Sequence, residues 1–424
     1  MKLRSWLSAT CSSHASTVSV PQPQPTYRKR HVVSDSGSSS DNPISSSSSD
    51  TCSTSLHSNL SLQTLPSVPS LQKLISEFNA ANISVSHVCI TSLISPRQIT
   101  CLAVHHNLLY AAAGHEINVY DGADFSLLDS FNAHDPSSGS VKSVSFSDGK
   151  VFTAHQDCKI KVWEIIPGNN KRHKLVTTLP TVNDRLLRFA LPKNYVTVRR
   201  HVKRLWIQHA DAVTSIAVNN GLVYSVSWDK SLKIWRDSNL RCVESVKAHE
   251  DAVSSVAVAK DGTVYTGSAD RRIRVWARPQ DGKRHVLVTT LEKHKSAVNA
   301  LALNEDGTVL FSGACDRSIL VWEREDSANH MAVTGALRGH GKAILCLFNV
   351  GVFLLSGSAD RTVRMWQRGE DGSYCCLGVL EGHVKPVKAV VAVMGEGGGD
   401  GDGVVSVVSG SLDGVVKVWR VSMV

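Results

Sequence analysis

From residue 81 onward, apolar positions alternate with polar ones in short runs separated by Gly, Asp and Asn turns. In one stretch Val253 to Val258 alternates, Lys260-Asp261-Gly262 turns, and Val264 to Gly267 returns. Asp270-Arg271 turns again, Ile273 to Trp276 makes a third run, and His285 to Leu291 a fourth. This period of two predicts half-buried strands joined by tight turns. Residues 70–80 have a different period. Leu71, Leu74, Ile75 and Phe78 fall on one helical face behind Ser70, a suitable N-cap, and predict a short helix or linker. Such a helix either packs on the folded body or serves as a partner-docking peptide. Residues 1–69 hold too few apolar side chains to offset the entropy of ordering a chain. With 22 serines in the first 70 residues, they predict a disordered Ser-rich tail.

Within the strand-rich region one phrase recurs: a His, then Ser/Thr-x-x-x-Asp, then Trp six residues past the Asp. It appears as His134, Thr153, Asp157, Trp163 and as His209, Ser225, Asp229, Trp235. It continues as His249, Thr266, Asp270, Trp276 and as His294, Ser312, Asp316, Trp322. The last copies are His340, Ser356, Asp360, Trp366 and His383, Ser409, Asp413, Trp419. A weaker copy comes first, with Ser95, Tyr110, Gly114 and Tyr120 at the four positions.

These spacings resemble the WD40 repeat, with its Gly-His literal at Gly339-His340 and Gly382-His383. The Asp that follows the terminal Trp in that family is replaced throughout, by Glu164, Arg236, Ala277, Glu323, Gln367 and Arg420. The resemblance implies an all-β, seven-bladed propeller over 81–424. A lone four-stranded sheet buries neither face, whereas sheets stacked around an axis bury both. The His, Asp, Ser/Thr and Trp then form buried hydrogen-bond chains within each blade. Six copies of a hydrolase triad on one chain make no chemical sense. The first blade lacks the set and is expected to be the least rigid. Little chain follows Trp419, so Val85 to Leu93 is expected to supply the missing outer strand and close the ring.

Composition narrows the function. The longest apolar run, Ala343 to Leu355, is too short to span a bilayer. Ten cysteines include no CxxC pair and no zinc spacing, which favours a reduced compartment, cytoplasm or nucleus. The Ser-rich start is basic before Asp35, which also fits a plastid transit peptide. No cofactor, metal or catalytic motif is found; the glycines from Gly395 to Gly403 lack a phosphate-loop ending and predict a hairpin tip. The chain therefore reads as a non-enzymatic, monomeric propeller.

The net charge of +9 is concentrated: between Glu164 and Gln208 stand ten Lys/Arg against two acids. The interval from Trp163 to Trp235 is 72 residues, while the next three span 41 to 46. The excess falls in a connection at about 181–208 that carries Arg185, Arg188, Lys193, Arg199, Arg200, Lys203 and Arg204. Phe189, Tyr195 and Trp206 are interleaved and predict a packed rather than loose loop. Family topology brings such a connection out on the top face. Two readings stand: a solvated rim, or a docking site for an acidic or phosphorylated partner peptide or a polyanion. Nucleic acid is disfavoured because no recognised module accompanies the patch. Residues just before each turn Asp (Gln156, Trp228, Ala269, Cys315, Ala359, Leu412) line the top entrance by the same resemblance. Among them Trp228 is the candidate anchor, with packing against the basic loop as the alternative.

Leu65-Pro-Ser-Val-Pro-Ser-Leu-Gln72 and Pro192-Lys-Asn-Tyr-Val-Thr-Val-Arg-Arg-His201 resemble the plant WD40 family named for JINGUBANG. That resemblance implies a regulatory scaffold in cytosol and nucleus that binds other proteins, transcription regulators among them. Two other roles were weighed. A substrate receptor of a cullin-type ubiquitin ligase calls for Trp-Asp-x-Arg, and Trp322-Glu-Arg-Glu is not that. A phosphoinositide-binding propeller calls for Phe-Arg-Arg-Gly, which is missing, although Arg199-Arg200 leaves a basic site open.

Overall fold

The computed structural model describes residues 68–74, 85–166, 172–199, 201–280, 282, 284–324, 331–394 and 404–423. Residues 1–67 of the expected tail, the Gly395–Gly403 tip and the helical positions Ile75 and Phe78 lie outside the described residues, whereas Val68 and Pro69, expected in the tail, are ordered against the propeller. Seven sheets follow one another along the chain, each a blade of four antiparallel strands, and the sixth gains a fifth, two-residue strand from outside the ring. Blade 1 comprises Ile99–His105, Leu108–Ala113, Glu116–Asp121 and Leu127–Phe131. Blade 2 comprises Val141–Ser147, Lys150–His155, Ile160–Ile166 and Arg172–Leu179. Blades 3 to 6 repeat this order over 213–247, 253–291, 298–337 and 344–380. The first strand of each blade contacts the first strand of the next, and the seventh returns to the first. The ring is closed.

Blade 7 has three strands of its own, Val387–Met394, Val404–Ser411 and Val415–Met423. Its outer strand is Val85–Ile94, paired antiparallel with Val415–Met423. The two ends of the propeller thus share one sheet, which removes the free edges an open ring would expose.

The core is not one mass but seven seams. Each cluster of buried apolar residues joins two neighbouring blades: Val119 and Phe131 of blade 1 meet Val144 and Trp163 of blade 2, for example. Second strands are buried along their whole length, as in Val309–Ala314 and Phe353–Ser358. Close approach across a seam explains the glycine that follows the Ser/Thr in blades 4 to 7. A Cβ on Gly313 would lie 2.5 Å from Ile344 Cγ2, and one on Gly410 2.5 Å from Ile99 Cγ2.

The helix expected over 70–80 is corrected where residues are described. Val68 to Leu74 runs extended, wedged between the outer strands of blades 5 and 6. Gln72–Lys73 pairs in parallel with Tyr374–Cys375, and Ser70 bridges Ala336. The Leu71 N–H donates to the Ala336 carbonyl (3.2 Å), and the Leu71 carbonyl accepts from the Tyr374 N–H (2.9 Å). Val68 is buried in the seam between blades 4 and 5, and a Cβ on Gly335 would run into Leu71. Backbone groups that a helix would use internally are taken by two sheet edges, and Pro69 supplies no N–H of its own. Leu74 points to solvent. This segment is a strap across a seam.

Candidate interaction site

Five of the six recurring quartets form the same buried chain. In blade 3 the Trp235 indole N–H donates to Ser225 Oγ (2.9 Å), and the Ser225 hydroxyl meets His209 Nε2 (2.9 Å). His209 Nδ1 then reaches Asp229 (3.0 Å). The three distances are 3.0, 2.8 and 2.9 Å for Trp276–Thr266–His249–Asp270 and 2.8, 2.7 and 2.9 Å for Trp322–Ser312–His294–Asp316. They are 2.9, 2.8 and 2.8 Å for Trp366–Ser356–His340–Asp360 and 2.8, 2.9 and 3.1 Å for Trp419–Ser409–His383–Asp413. Each Nδ1 faces a carboxylate, which can only accept, so the Nδ1–H donates to the aspartate and Nε2 is left to the hydroxyl. The aspartate also caps the turn. Asp270 accepts from the Glu250 and Arg272 N–H groups, at 3.1 and 3.0 Å.

Burial pushes these carboxyls up, but the facing histidine and the turn donors more than offset it. Asp270 and Asp316 are held at about 2, and Asp229, Asp360 and Asp413 are also lowered. Burial holds His209 and His383 below the ordinary imidazole value despite their aspartates. All five hydroxyls are fully buried, so none can meet a substrate carbonyl.

Blade 2 departs from the expected pattern. His134 is exposed and belongs to no such chain. Pro136–Ser138 forms a 3-10 turn that turns the buried side chain into Ser138. His155, two residues past Thr153 on the same strand, takes the imidazole's place, with Nε2 2.8 Å from Thr153 Oγ1 and Trp163 Nε1 2.9 Å from that oxygen. Asp157 meets Lys159 (2.8 Å) instead of a histidine. The buried Lys161 fills the remaining space, bonding Asn132 Oδ1 (2.5 Å) and Asp135 (2.6 Å). Burial, reinforced by the Lys161 charge, drives His155 down to about 3.

Blade 1 has no internal quartet, but it is anchored outward. Tyr110 is fully buried, and its hydroxyl lies 3.1 Å from His173 Nε2 on the outer strand of blade 2. Asp129 of blade 1 accepts from His173 Nδ1 (2.8 Å) and from its backbone N–H (2.9 Å). Blades 3 and 4 repeat the device: Glu244 accepts from His285 Nδ1 and N–H, both at 3.0 Å, and Tyr224 packs edge-on to that ring. Sequence reasoning missed these clasps. Their signal is the phrase Lys-Arg-His-x-Leu-Val-Thr-Thr-Leu, present at 171–179 and again at 283–291.

The basic connection is folded, and it lies lower on the molecule than its emergence on the top face suggested. After Leu179 come a helix, Val182–Phe189, and a hairpin of Tyr195–Arg199 with Val202–Leu205. Thr181 caps the helix, accepting from the Asp184 N–H at 3.1 Å. Asp184 is buried, pairs with Arg188 (2.9 Å) and accepts from the Cys242 N–H (3.4 Å). Cys242 sits opposite Trp235, at the end of its blade far from the Asp229 turn. The insertion thus runs down the outer edge of blade 3.

This placement sorts the candidate basic residues. Arg188 is committed internally: beyond Asp184, it lies 4.7 Å from the Trp206 ring centroid and donates to the Cys242 carbonyl (3.4 Å). Arg204 donates to the His209 carbonyl at 3.1 Å. Arg185, Lys193 and Lys203 are exposed. Arg200 and the side chain of Arg199 lie outside the described residues. Trp228 is half-buried, with Lys142 Nζ of the neighbouring blade 5.9 Å from its ring centroid. Among the described residues no helix is long and apolar enough to cross a membrane, and no His/Cys/Asp/Glu group is arranged to hold a metal ion.

A closed ring of seven antiparallel sheets, stitched by buried polar chains, defines a β-propeller. More than half of the chain matches the family described as WD domain, G-beta repeat, at 125–164, 201–236, 240–277, 285–323, 332–367 and 374–420. The chain belongs to the WD40 family. It is 28% identical over 115 residues to pre-mRNA-processing factor 19 of Mus musculus, covering 26% of this chain and 23% of that one. It is 33% identical over 73 residues to an F-box/WD-40 repeat-containing protein of Arabidopsis thaliana, covering 17% and 13%. To a guanine nucleotide-binding protein subunit beta of Schizosaccharomyces pombe it is 32% identical over 59 residues, covering 14% and 19%. The chain spans less than a quarter of the length of these curated relatives.

Proposed function

We propose that this protein is a non-catalytic scaffold that binds partner proteins through its propeller surface, with the insertion between blades 2 and 3 as the principal contact. One contrast carries the reading. The recurring His, Asp and Ser/Thr side chains are spent on holding blades together, whereas the insertion keeps apolar and basic side chains in solvent. Exposed apolar patches rimmed by charge are what interaction surfaces present. The WD40 family is typically non-catalytic, and the relatives include a pre-mRNA-processing factor and a guanine nucleotide-binding protein subunit. The JINGUBANG-like phrases extend the reading to a regulatory role in cytoplasm and nucleus, with transcription regulators among the partners.

Affinity purification of the tagged full chain, beside the double variant Arg185→Glu/Lys203→Glu, tests this. The wild type recovers stoichiometric partner proteins, and the variant loses a defined subset of them. Recovery of none from any compartment refutes the scaffold. A fluorescent fusion confined to plastids refutes the cytoplasmic and nuclear placement.

A further inference from the structure

The insertion helix is inside out. On a helix of 3.6 residues per turn, Asp184 and Arg188 share one side, and Val182, Leu186 and Phe189 share the other. Ordinary packing would turn the second group inward. Here the ionic pair faces the protein, tied to Cys242 and Trp206, and the apolar side faces water. Val182 is 60% exposed, Leu186 60%, Leu187 64% and Phe189 59%. Leu191, and Val196 and Val202 of the hairpin, are exposed as well.

The border of this face has one sign. Arg185 flanks the helix, Lys193 follows it, and Lys203 stands on the hairpin; all three are exposed. The only acid between Arg172 and Gln208 is Asp184, buried and already neutralised by Arg188. A ligand therefore meets apolar contacts in the middle and uncompensated positive charge at the edge.

We propose that this face docks a short amphipathic segment of another protein, with Leu- or Phe-like side chains along one side and Asp or Glu on its margins. The proposal rests on the scaffold reading and names the partner's chemistry. Helix-in-groove recognition uses anchors at i, i+4 and i+7, the spacing that Val182, Leu186 and Phe189 themselves present. A lipid surface fits less well. Interfacial membrane helices present Lys and Arg from their polar side, and the polar side here is Asp184 and Arg188, paired with each other and turned to the protein.

The test is fluorescence anisotropy of the full chain with a labelled helical peptide bearing Leu/Phe at i, i+4 and i+7 and Glu at the margins. Binding is expected to weaken at least tenfold in Leu186→Glu, whose side chain lies in solvent and leaves the fold intact. It weakens to a lesser degree in Arg185→Glu, and falls as salt rises past the point where surface charges are screened. The same peptide with Lys for Glu should not bind. Equal binding of an acidic peptide without the apolar anchors, or unchanged binding by Leu186→Glu, overturns the proposal. So does sedimentation with anionic vesicles, or self-association of the chain, that Leu186→Glu abolishes, since either assigns the face to a different occupant. If partner proteins recovered by the wild type are all retained by Leu186→Glu and Arg185→Glu, the scaffold reading survives and this one fails.

Discussion

Replacing Asp270 by Ala isolates the aspartate's part in the buried chain. The substitution removes the acceptor of His249 Nδ1 and of the Glu250 and Arg272 N–H groups. His249 is fully buried, so its Nδ1–H is left without a partner, at a cost of about 1–3 kcal/mol. The two backbone donors sit near the surface and can turn to water, adding about 1 kcal/mol between them. A loss of roughly 3 kcal/mol is therefore expected from urea or thermal denaturation. Asp157→Ala is the internal control. It occupies the same place in the repeat but accepts only from Lys159, through its backbone N–H (3.2 Å) and its exposed ammonium (2.8 Å), so about 1 kcal/mol is at stake. The pH dependence has a definite sign. Asp270 is lowered from 3.8 to about 2 in the fold, so its contribution is complete above about pH 4 and lost as pH falls toward 2. The gap between wild type and Asp270→Ala should close over that window. Equal losses from Asp157→Ala and Asp270→Ala, or a gap independent of pH, would refute the assignment.

Three further outcomes follow from the packing. Gly313→Ala places a methyl 2.5 Å from Ile344 Cγ2 across the seam between blades 5 and 6, and should lower stability by about 1–3 kcal/mol on denaturation. Deleting residues 1–75 removes the strap but leaves the ring closed, so it should lower the unfolding midpoint without aggregation. Deleting 1–95 also takes the outer strand of blade 7, bares the edge of Val415–Met423 and should give aggregates by size-exclusion chromatography. Burial raises the thiols of Cys101 to about 11 and of Cys242 and Cys346 to about 12, so a maleimide at pH 7.5 should leave all three unlabelled until the protein is unfolded.

Much of this was legible in the chain. The fixed step of six residues from Asp to Trp reflects a strand of constant length after a tight turn, and local geometry of that kind repeats with the sequence. Seven blades, the buried hydroxyl-to-indole bonds and the ring-closing strand near Val85 all follow from such local repetition. Three features do not. His134 keeps the repeat's residue type, yet the Pro136 turn and the Lys161–Asp135 pair leave it in solvent, and His155, on the same strand as Thr153, takes its place instead. Leu71 and Leu74 have helical spacing, but two open sheet edges offered their backbone more hydrogen bonds than a lone turn of helix holds. The insertion helix carries an ordinary amphipathic pattern, and only the buried Asp184–Arg188–Trp206 contacts decide that its apolar side faces outward. Spacing along the chain dictates which residues share a strand or a helix face. Which face is buried depends on what the rest of the ring sets against it, and that is a property of neighbours distant in sequence.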